Sequence, residues 1–360
     1  MSRRRCSAEP GPDVLTVLEE QAEKARAVLD PEVYDYYSAG SGDQVTRHES
    51  GSAWTRYRLR PHPLRDVATV DTSSTALGAA VSTPIGIAPS AFQLLAHPGA
   101  ERATAAAAGE AGALFVLSTR ASLPIAEIAR SAAGPWWFQV YVMRDRDLTK
   151  RVVEDAVLAG ARALVLTADT PYVGRKRQVH GTRIPMPDDH YLVNIAPHLA
   201  PGVDGRAAAA QDPSIGLETI EWLNREFGLP VLVKGVLRAD AAIDCLQAGA
   251  GGIIVSNHGG RQLDRAVPSA DALIEVVDAV AGRIPVYADG GLSCGLDVLT
   301  ALAMGAHGVL IGRPVLWALA AGGQPGVVDA LTALTDDLRH VMALAGVPDL
   351  QAIDRSLLHR

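Results

Sequence analysis

Cysteine is scarce: Cys6, Cys245 and Cys294 are the whole complement of a 360-residue chain. Three scattered thiols supply neither a disulfide framework nor a four-ligand zinc site, so a reducing compartment is expected and a metal is not. No segment approaches the ~18 uninterrupted apolar residues that a membrane span needs. The N-terminal basic cluster, Arg3-Arg4-Arg5, leads into polar residues, Pro and Gly, so neither anchor nor signal peptide is expected and the cytoplasm is the expected compartment. Positive charge is not in excess either. With 33 Lys and Arg against 40 Asp and Glu, the net charge is −7, which recommends no nucleic-acid partner. Finally, no G-x-G-x-x-G follows the first apolar run, which argues against a Rossmann layout.

What is present is repetition. From Thr83 to Ile311, short apolar runs alternate with longer Ala- and Leu-rich stretches of helical period. The eight runs are residues 84–88, 113–117, 136–141, 163–167, 230–233, 252–255, 285–288 and 308–311. Such alternation implies a parallel sheet, and eight units in about 230 residues match a closed (β/α)₈ TIM barrel better than an open doubly wound sheet. The expected fold class is therefore α/β. A segment 1–82 packs on a barrel 83–360, as one domain from about residue 13.

Two segments lie outside the repeat. Residues 13–29 carry Val14, Leu15, Leu18, Ala22, Ala25, Val28 and Leu29 on one amphipathic face. Asp30-Pro31 then caps and starts a second helix through Tyr34, Tyr36 and Tyr37, which Gly40 can end. Residues 177–214, rich in Pro, Asp, Gly and Ala, form a loop long enough to be a lid or an insertion. Of the Ala-rich patches, 105–108 reads as helix filler and 207–210 as linker.

Polar residues recur just past the apolar runs, which core packing alone does not explain. They are Ser90 between Pro89 and Ala91, Ser118 and Arg120, Gln139 and Tyr141, Thr167 and Asp169, Lys234, Ser256 with His258 and Arg261, Asp289-Gly290-Gly291, and Gly312-Arg313. Each alone could be a satisfied structural group, but together they describe one polar ring at a barrel mouth. The densest stretch is Asn257-His258-Gly259-Gly260-Arg261. In isolation it reads as a loop histidine and a solvated arginine. Past a strand's C-terminal end it sets a titratable base three residues from a fixed cation, on a turn whose glycines admit a ligand, which suits an anionic substrate that must lose a proton. The glycines and the arginine after runs seven and eight suit a phosphate, so a phosphorylated cofactor is expected in the mouth.

Taken in order, these residues resemble the FMN-dependent α-hydroxy-acid oxidase and dehydrogenase family. The resemblance rests on Val33-Tyr34-Asp35-Tyr36-Tyr37, Ile87 to Ala91, His97-Pro98, Phe138 to Tyr141, Leu166 to Pro171, Leu232 to Val236, Ser256 to Asp264, Asp289-Gly290-Gly291 and Ile311 to Pro314. It implies that His258 is the base and Asp169 its carboxylate partner. It implies also that Arg261, Tyr36, Tyr141 and Lys176 meet the substrate, with Arg120 at the same pocket. Lys234, Ser118, Gln139, Thr167, Ser256 and the backbone of Pro89, Ser90 and Ala91 would surround the flavin ring. Asp289, Gly290, Gly291, Ser293, Gly312 and Arg313 would hold the ribityl phosphate. A homotetramer or larger assembly is implied as well.

Three positions depart from the family pattern. Lys176 stands where a second substrate arginine is usual, Arg120 where the small-acid oxidases carry a bulky aromatic, and Ser293 where a second phosphate arginine is expected. The first two shift the expected substrate towards one larger or more anionic than glycolate or lactate. The implied activity is oxidation of an L-2-hydroxy acid to the 2-oxo acid with oxygen as acceptor. A dehydrogenase serving a quinone or another carrier is the nearest alternative. A flavin isomerase and a non-catalytic flavin scaffold fit less well, because Asp169, His258 and Arg261 are all present.

Overall fold

A computed structural model of the chain describes residues 14–176 and 186–359. Arg3-Arg4-Arg5, Cys6, Asp13 and residues 177–185 of the long loop lie outside the described residues. All eight apolar runs are strands: β1 (Ile85–Ile87), β2 (Phe115–Ser118), β3 (Trp136–Val140), β4 (Leu164–Thr167), β5 (Val231–Val236), β6 (Gly252–Val255), β7 (Val286–Asp289) and β8 (Gly308–Ile311). They pair in parallel in chain order, and β8 returns to β1 through Val309 opposite Ile85, closing the barrel. Nearly every strand residue is buried, as both faces of a parallel sheet must be.

Among the described residues three helices precede the barrel: α1 (Val14–Val28), α2 (Pro31–Ser38) and α3 (Val45–Trp54). The others are α4 (Ala100–Glu110), α5 (Ile125–Ser131), α6 (Arg146–Leu158), α7 (Asp188–Tyr191), α8 (Gly205–Ala208), α9 (Glu218–Phe227), α10 (Ala239–Gln247), α11 (Ser269–Val280), α12 (Gly295–Ala303) and α13 (Arg313–Ala345). No described helix is long and apolar enough to cross a membrane.

The alternation of side chains along each strand decides what fills the barrel. Val116, Trp137, Val165, Leu232, Ile254 and Tyr287 form an interior apolar cluster. Trp137 is fully buried and meets Tyr287 edge-on at 5.3 Å. Two residues further along the same rows stand Ser118, Gln139, Thr167, Lys234, Ser256 and Asp289. The interior therefore changes from apolar to polar towards the C-terminal ends of the strands, where barrels of this kind keep their chemistry.

The N-terminal helices are fastened across that polar end. Tyr37 Oη donates to the Phe92 carbonyl at 2.6 Å, and Trp54 Nε1 to the Gly290 carbonyl at 3.0 Å. Asn257 Nδ2 donates to Ser50 Oγ at 3.0 Å, and the Asp264 carboxylate accepts from the amides of Asp43 and Thr46. Loops after β1, β6 and β7 are thus each tied to α2 or α3.

Three local expectations are corrected. β5 runs past residue 233 to Val236, interrupted by a register shift between Lys234 and Val236. α2 begins as expected, with the Asp30 carboxylate accepting from the Glu32 amide, but ends at Ser38 under an extended Ala39, before Gly40. Residues 207–210 are not linker: Asp204 caps α8 by accepting from the amides of Arg206 and Ala207, and that cap starts a short helix through the alanines.

Candidate active site

The polar row is a hydrogen-bonded chain. Ser118 Oγ donates to Gln139 Oε1 at 3.2 Å, and Gln139 Nε2 to Thr167 Oγ1 at 3.0 Å. Lys234 Nζ donates to Ser256 Oγ at 2.7 Å and pairs with Asp289 Oδ2 at 2.9 Å. Burial by itself would lower the Lys234 pKa, but Asp289 and Asp169 outweigh it and hold the ammonium above its ordinary range. Lys234 is therefore a permanent buried cation. The other Asp289 oxygen, Oδ1, is buried without a partner.

Beyond this row, His258 Nδ1 lies 3.0 Å from Asp169 Oδ1 and 3.2 Å from Oδ2. Burial pushes the Asp169 pKa up. The charge and hydrogen bond of His258, with Lys234 and Thr170, more than reverse that, so the group stays below the usual carboxylate range. His258 has φ +55°, followed by Gly259 at +62° and Gly260 at +71°. A left-handed backbone is costly at a histidine and free at glycine, so the glycines carry the turn that aims the imidazole at Asp169. The His258 amide is held by Ser256 Oγ at 3.0 Å. Gly235 makes the pair possible from the other side: a Cβ there would lie 2.6 Å from both Cβ and Cγ of Asp169, and its φ is +107°.

A corner of positive charge faces this pair. Arg261 stacks over the Tyr36 ring at 5.2 Å, and its Nη1 donates to the carbonyls of Tyr36, Tyr37 and Ala39 at the C-terminal end of α2. Arg313 donates to the carbonyls of Tyr37, Ala39 and Gly259. Burial, Arg261 and Arg47 push its pKa down to about 9. Lys176, bridged to Gly42, is pushed down to about 8 by burial, Arg261 and Arg313. Cations crowded this closely are relieved by an anion. The Tyr36 and Tyr141 hydroxyls are held above their ordinary pKa by burial, and both feel the charge of Arg120.

The remaining expected residues divide. Pro89, Ser90 and Ala91 line the β1 loop half-buried, with Ser90 Oγ 3.4 Å from the Ala88 carbonyl. Gly290 and Gly291 pack against α3; a Cβ on Gly291 would strike the Ser50 carbonyl at 2.2 Å. Gly312 caps α13 with no atom closer than 3.9 Å to where its Cβ would stand. Ser293 is turned to Asp297, its amide donating to Oδ2 at 2.8 Å and its hydroxyl at 3.2 Å. No hydrogen bond joins Ser293 to Arg313 among the described residues.

Residues 25–360 match the profile of the FMN-dependent dehydrogenase family. The chain belongs to that family. It is 43% identical over 354 residues to an L-lactate oxidase of Nostoc sp., covering 94% of this chain and 97% of the relative. It is 39% identical over 360 residues to 2-hydroxyacid oxidase 1 of Homo sapiens, covering 96% and 97%. A solved mandelate oxidase superposes with a TM-score of 0.87 at 38% identity, covering 95% of this chain and 97% of that one.

FMN is thus the cofactor, and the residues present fit it. Asp289 Oδ1 is an orphaned buried acceptor beside a buried ammonium, which a hydroxyl-bearing ligand would satisfy. In the Ser118, Gln139, Thr167 and Lys234 row, Gln139 Nε2 and Lys234 Nζ each retain a proton beyond the bonds described, as donors to the carbonyl and nitrogen atoms of a flavin edge.

Several contributors were not foreseen from sequence. Gln262 Nε2 donates to the carbonyls of Asp169 and Tyr172 while its Oε1 accepts from Gly174, which ties the His258 loop to the Asp169 loop. Tyr191 in α7 stacks on Phe92 at 5.2 Å and acts on the Tyr36 hydroxyl. The Glu101 carboxylate, fully buried, accepts from the amides of Gln93 and Ser122 and from Ser122 Oγ, so one side chain holds the loops after β1 and β2. Only Gly235 and Gln262, inside stretches already singled out, carried a signal that sequence could show.

Proposed function

We propose that the chain oxidises an L-2-hydroxy acid to the 2-oxo acid and passes the electrons to oxygen, with hydrogen peroxide as the second product. The observation that carries this is the His258 and Asp169 pair. Asp169 is a carboxylate and can only accept, so His258 Nδ1 must donate to it. In the neutral ring Nε2 is then left with a free lone pair, the atom that takes a proton from the substrate. Asp169 holds the ring in that tautomer and stabilises the imidazolium that results.

Arg261 and Lys176 bind the substrate carboxylate, and the Tyr36 and Tyr141 hydroxyls, kept protonated by burial, donate to its oxygens. Bound FMN supplies the acceptor for the two electrons. Lys234 is assigned to the cofactor ring, where its ammonium opposes the negative charge that accepting electrons creates. Arg313, with Gly312 at the start of α13, is assigned to the phosphate. Oxygen as the acceptor is supported by the oxidase names of the relatives, and the L configuration by that of the L-lactate oxidase.

The test is direct. The purified protein is expected to carry the yellow FMN spectrum, to bleach anaerobically with an L-2-hydroxy acid, and to release one peroxide per 2-oxo acid in air. Bleaching without peroxide would hand the electrons to another carrier. No bleaching by any 2-hydroxy acid would end the proposal.

A further inference from the structure

We infer that Arg120 makes this site one for 2-hydroxy dicarboxylates, its guanidinium receiving the carboxylate distal to the reacting carbon. The inference rests on the reading of the site given under Proposed function and adds the substrate class to it.

Arg120 stands two residues past the end of β2 and is firmly placed. Its amide is held by Ser118 Oγ at 3.1 Å, and its carbonyl accepts from the Phe92 amide at 3.0 Å. The residue is only 8% exposed. Its Nη2 donates to the Ala209 carbonyl of the long loop, whereas Nη1 is buried with no partner. No carboxylate lies within ion-pair distance of it among the described residues. The side chain is thus neither turned to solvent nor paired with a described carboxylate of the long loop.

The buried guanidinium belongs to the substrate pocket. It lies 5.5 Å from the centre of the Tyr191 ring. Tyr191 stacks on Phe92, Phe92 meets Tyr36 at 6.3 Å, and Tyr36 lies under Arg261. An aromatic row thus runs from one guanidinium to the other. Both cations act on the Tyr36 hydroxyl, and Arg120 acts on Tyr141 too, which also feels Asp169. A ligand held by Arg261 with its reacting carbon near His258 therefore has Arg120 as a second cationic end point.

Chemistry then selects the ligand. A buried guanidinium with an unused donor is costly unless an anion meets it, and its planar fork matches a carboxylate. A monocarboxylic acid such as lactate leaves Nη1 unpaired; a diacid does not. Losing one partner of a buried charge-assisted pair corresponds to about 30-fold or more in affinity.

The test uses the FMN-loaded full chain and ligands that cannot react, because their reacting carbon bears no hydrogen. Calorimetry would compare 2-hydroxyisobutyrate with two diacids of different length, citramalate and 2-hydroxy-2-methylglutarate, in the parent, Arg120→Met and Arg120→Lys. Anaerobic flavin reduction by lactate and by malate would run beside it. The better diacid is expected to bind the parent at least about 30-fold more tightly than 2-hydroxyisobutyrate. Arg120→Met is expected to bring that ratio to near one, and Arg120→Lys to retain part of it. A parental ratio near one, or a ratio that survives Arg120→Met, overturns the inference. If Arg120→Met does not fold, the parental ratio and its reduction in Arg120→Lys decide. Should lactate reduce the flavin while the parental ratio is near one, only this inference fails. If neither lactate, malate nor any other 2-hydroxy acid reduces it, the proposed function fails first.

Discussion

His258 Nδ1 and Asp169 Oδ1 meet at 3.0 Å although 89 positions separate the two residues. The barrel creates this contact by ending β4 and β6 at the same rim. Asp169→Asn keeps the shape but removes the charge, and it permits the wrong tautomer. Flavin reduction is expected to slow by about 10²- to 10⁴-fold with FMN still bound. Stopped-flow reduction at saturating substrate measures it. The Asp169 pKa is depressed, so the stability from this pair is present above the ordinary carboxylate value of ~3.9 and is lost as pH falls through the lower folded value. Asp169→Asn is expected to flatten the acid side of a melting-temperature profile.

Gly235→Ala tests the same pair from its other side. The added methyl would stand 2.6 Å from Asp169, at a φ of +107° that alanine does not tolerate. A loss of about 1–3 kcal/mol in urea unfolding is expected, together with slower flavin reduction. Retained stability and a parental rate would show that Asp169 has room to move without consequence.

With Lys176 proposed at the substrate carboxylate, binding is expected to depend on pH. Its pKa in the free site is pushed down to about 8, so below that pH the ammonium adds to the attraction for a carboxylate. As pH rises above 8 the free site loses this charge, and affinity is expected to fall while binding becomes coupled to proton uptake. Calorimetry of 2-hydroxyisobutyrate in two buffers of different ionisation enthalpy measures that uptake. Lys176→Arg is expected to abolish the step, because a guanidinium keeps its proton through this range.

Trp137 closes the barrel below the polar row. Truncation to alanine leaves a cavity beside Tyr287, and a loss of about 3–5 kcal/mol is expected in chemical denaturation.

Much of this arrangement was legible in the residues. Strand runs such as Gly252-Ile253-Ile254-Val255 have one explanation when eight of them recur at barrel spacing, and the polar residue two positions past an inward apolar one must point into the mouth. Long-range placement was not legible. Nothing near Glu101 distinguishes a buried carboxylate holding two loops from a surface charge on an alanine-rich helix. Tyr191 sits in a loop whose path no periodicity reveals. Arg313 stands past β8 as its run indicated, but its bonds to the carbonyls of Tyr37, Ala39 and Gly259, which tie it to the end of α2, had no counterpart in the sequence.

Replacing His258 with alanine and mixing the variant anaerobically with substrate tests the central claim most directly. The parent is expected to bleach at once with its preferred L-2-hydroxy acid. His258→Ala should keep its yellow FMN spectrum and reduce about 10²- to 10⁴-fold more slowly. Reduction of the variant at the parental rate would contradict the account.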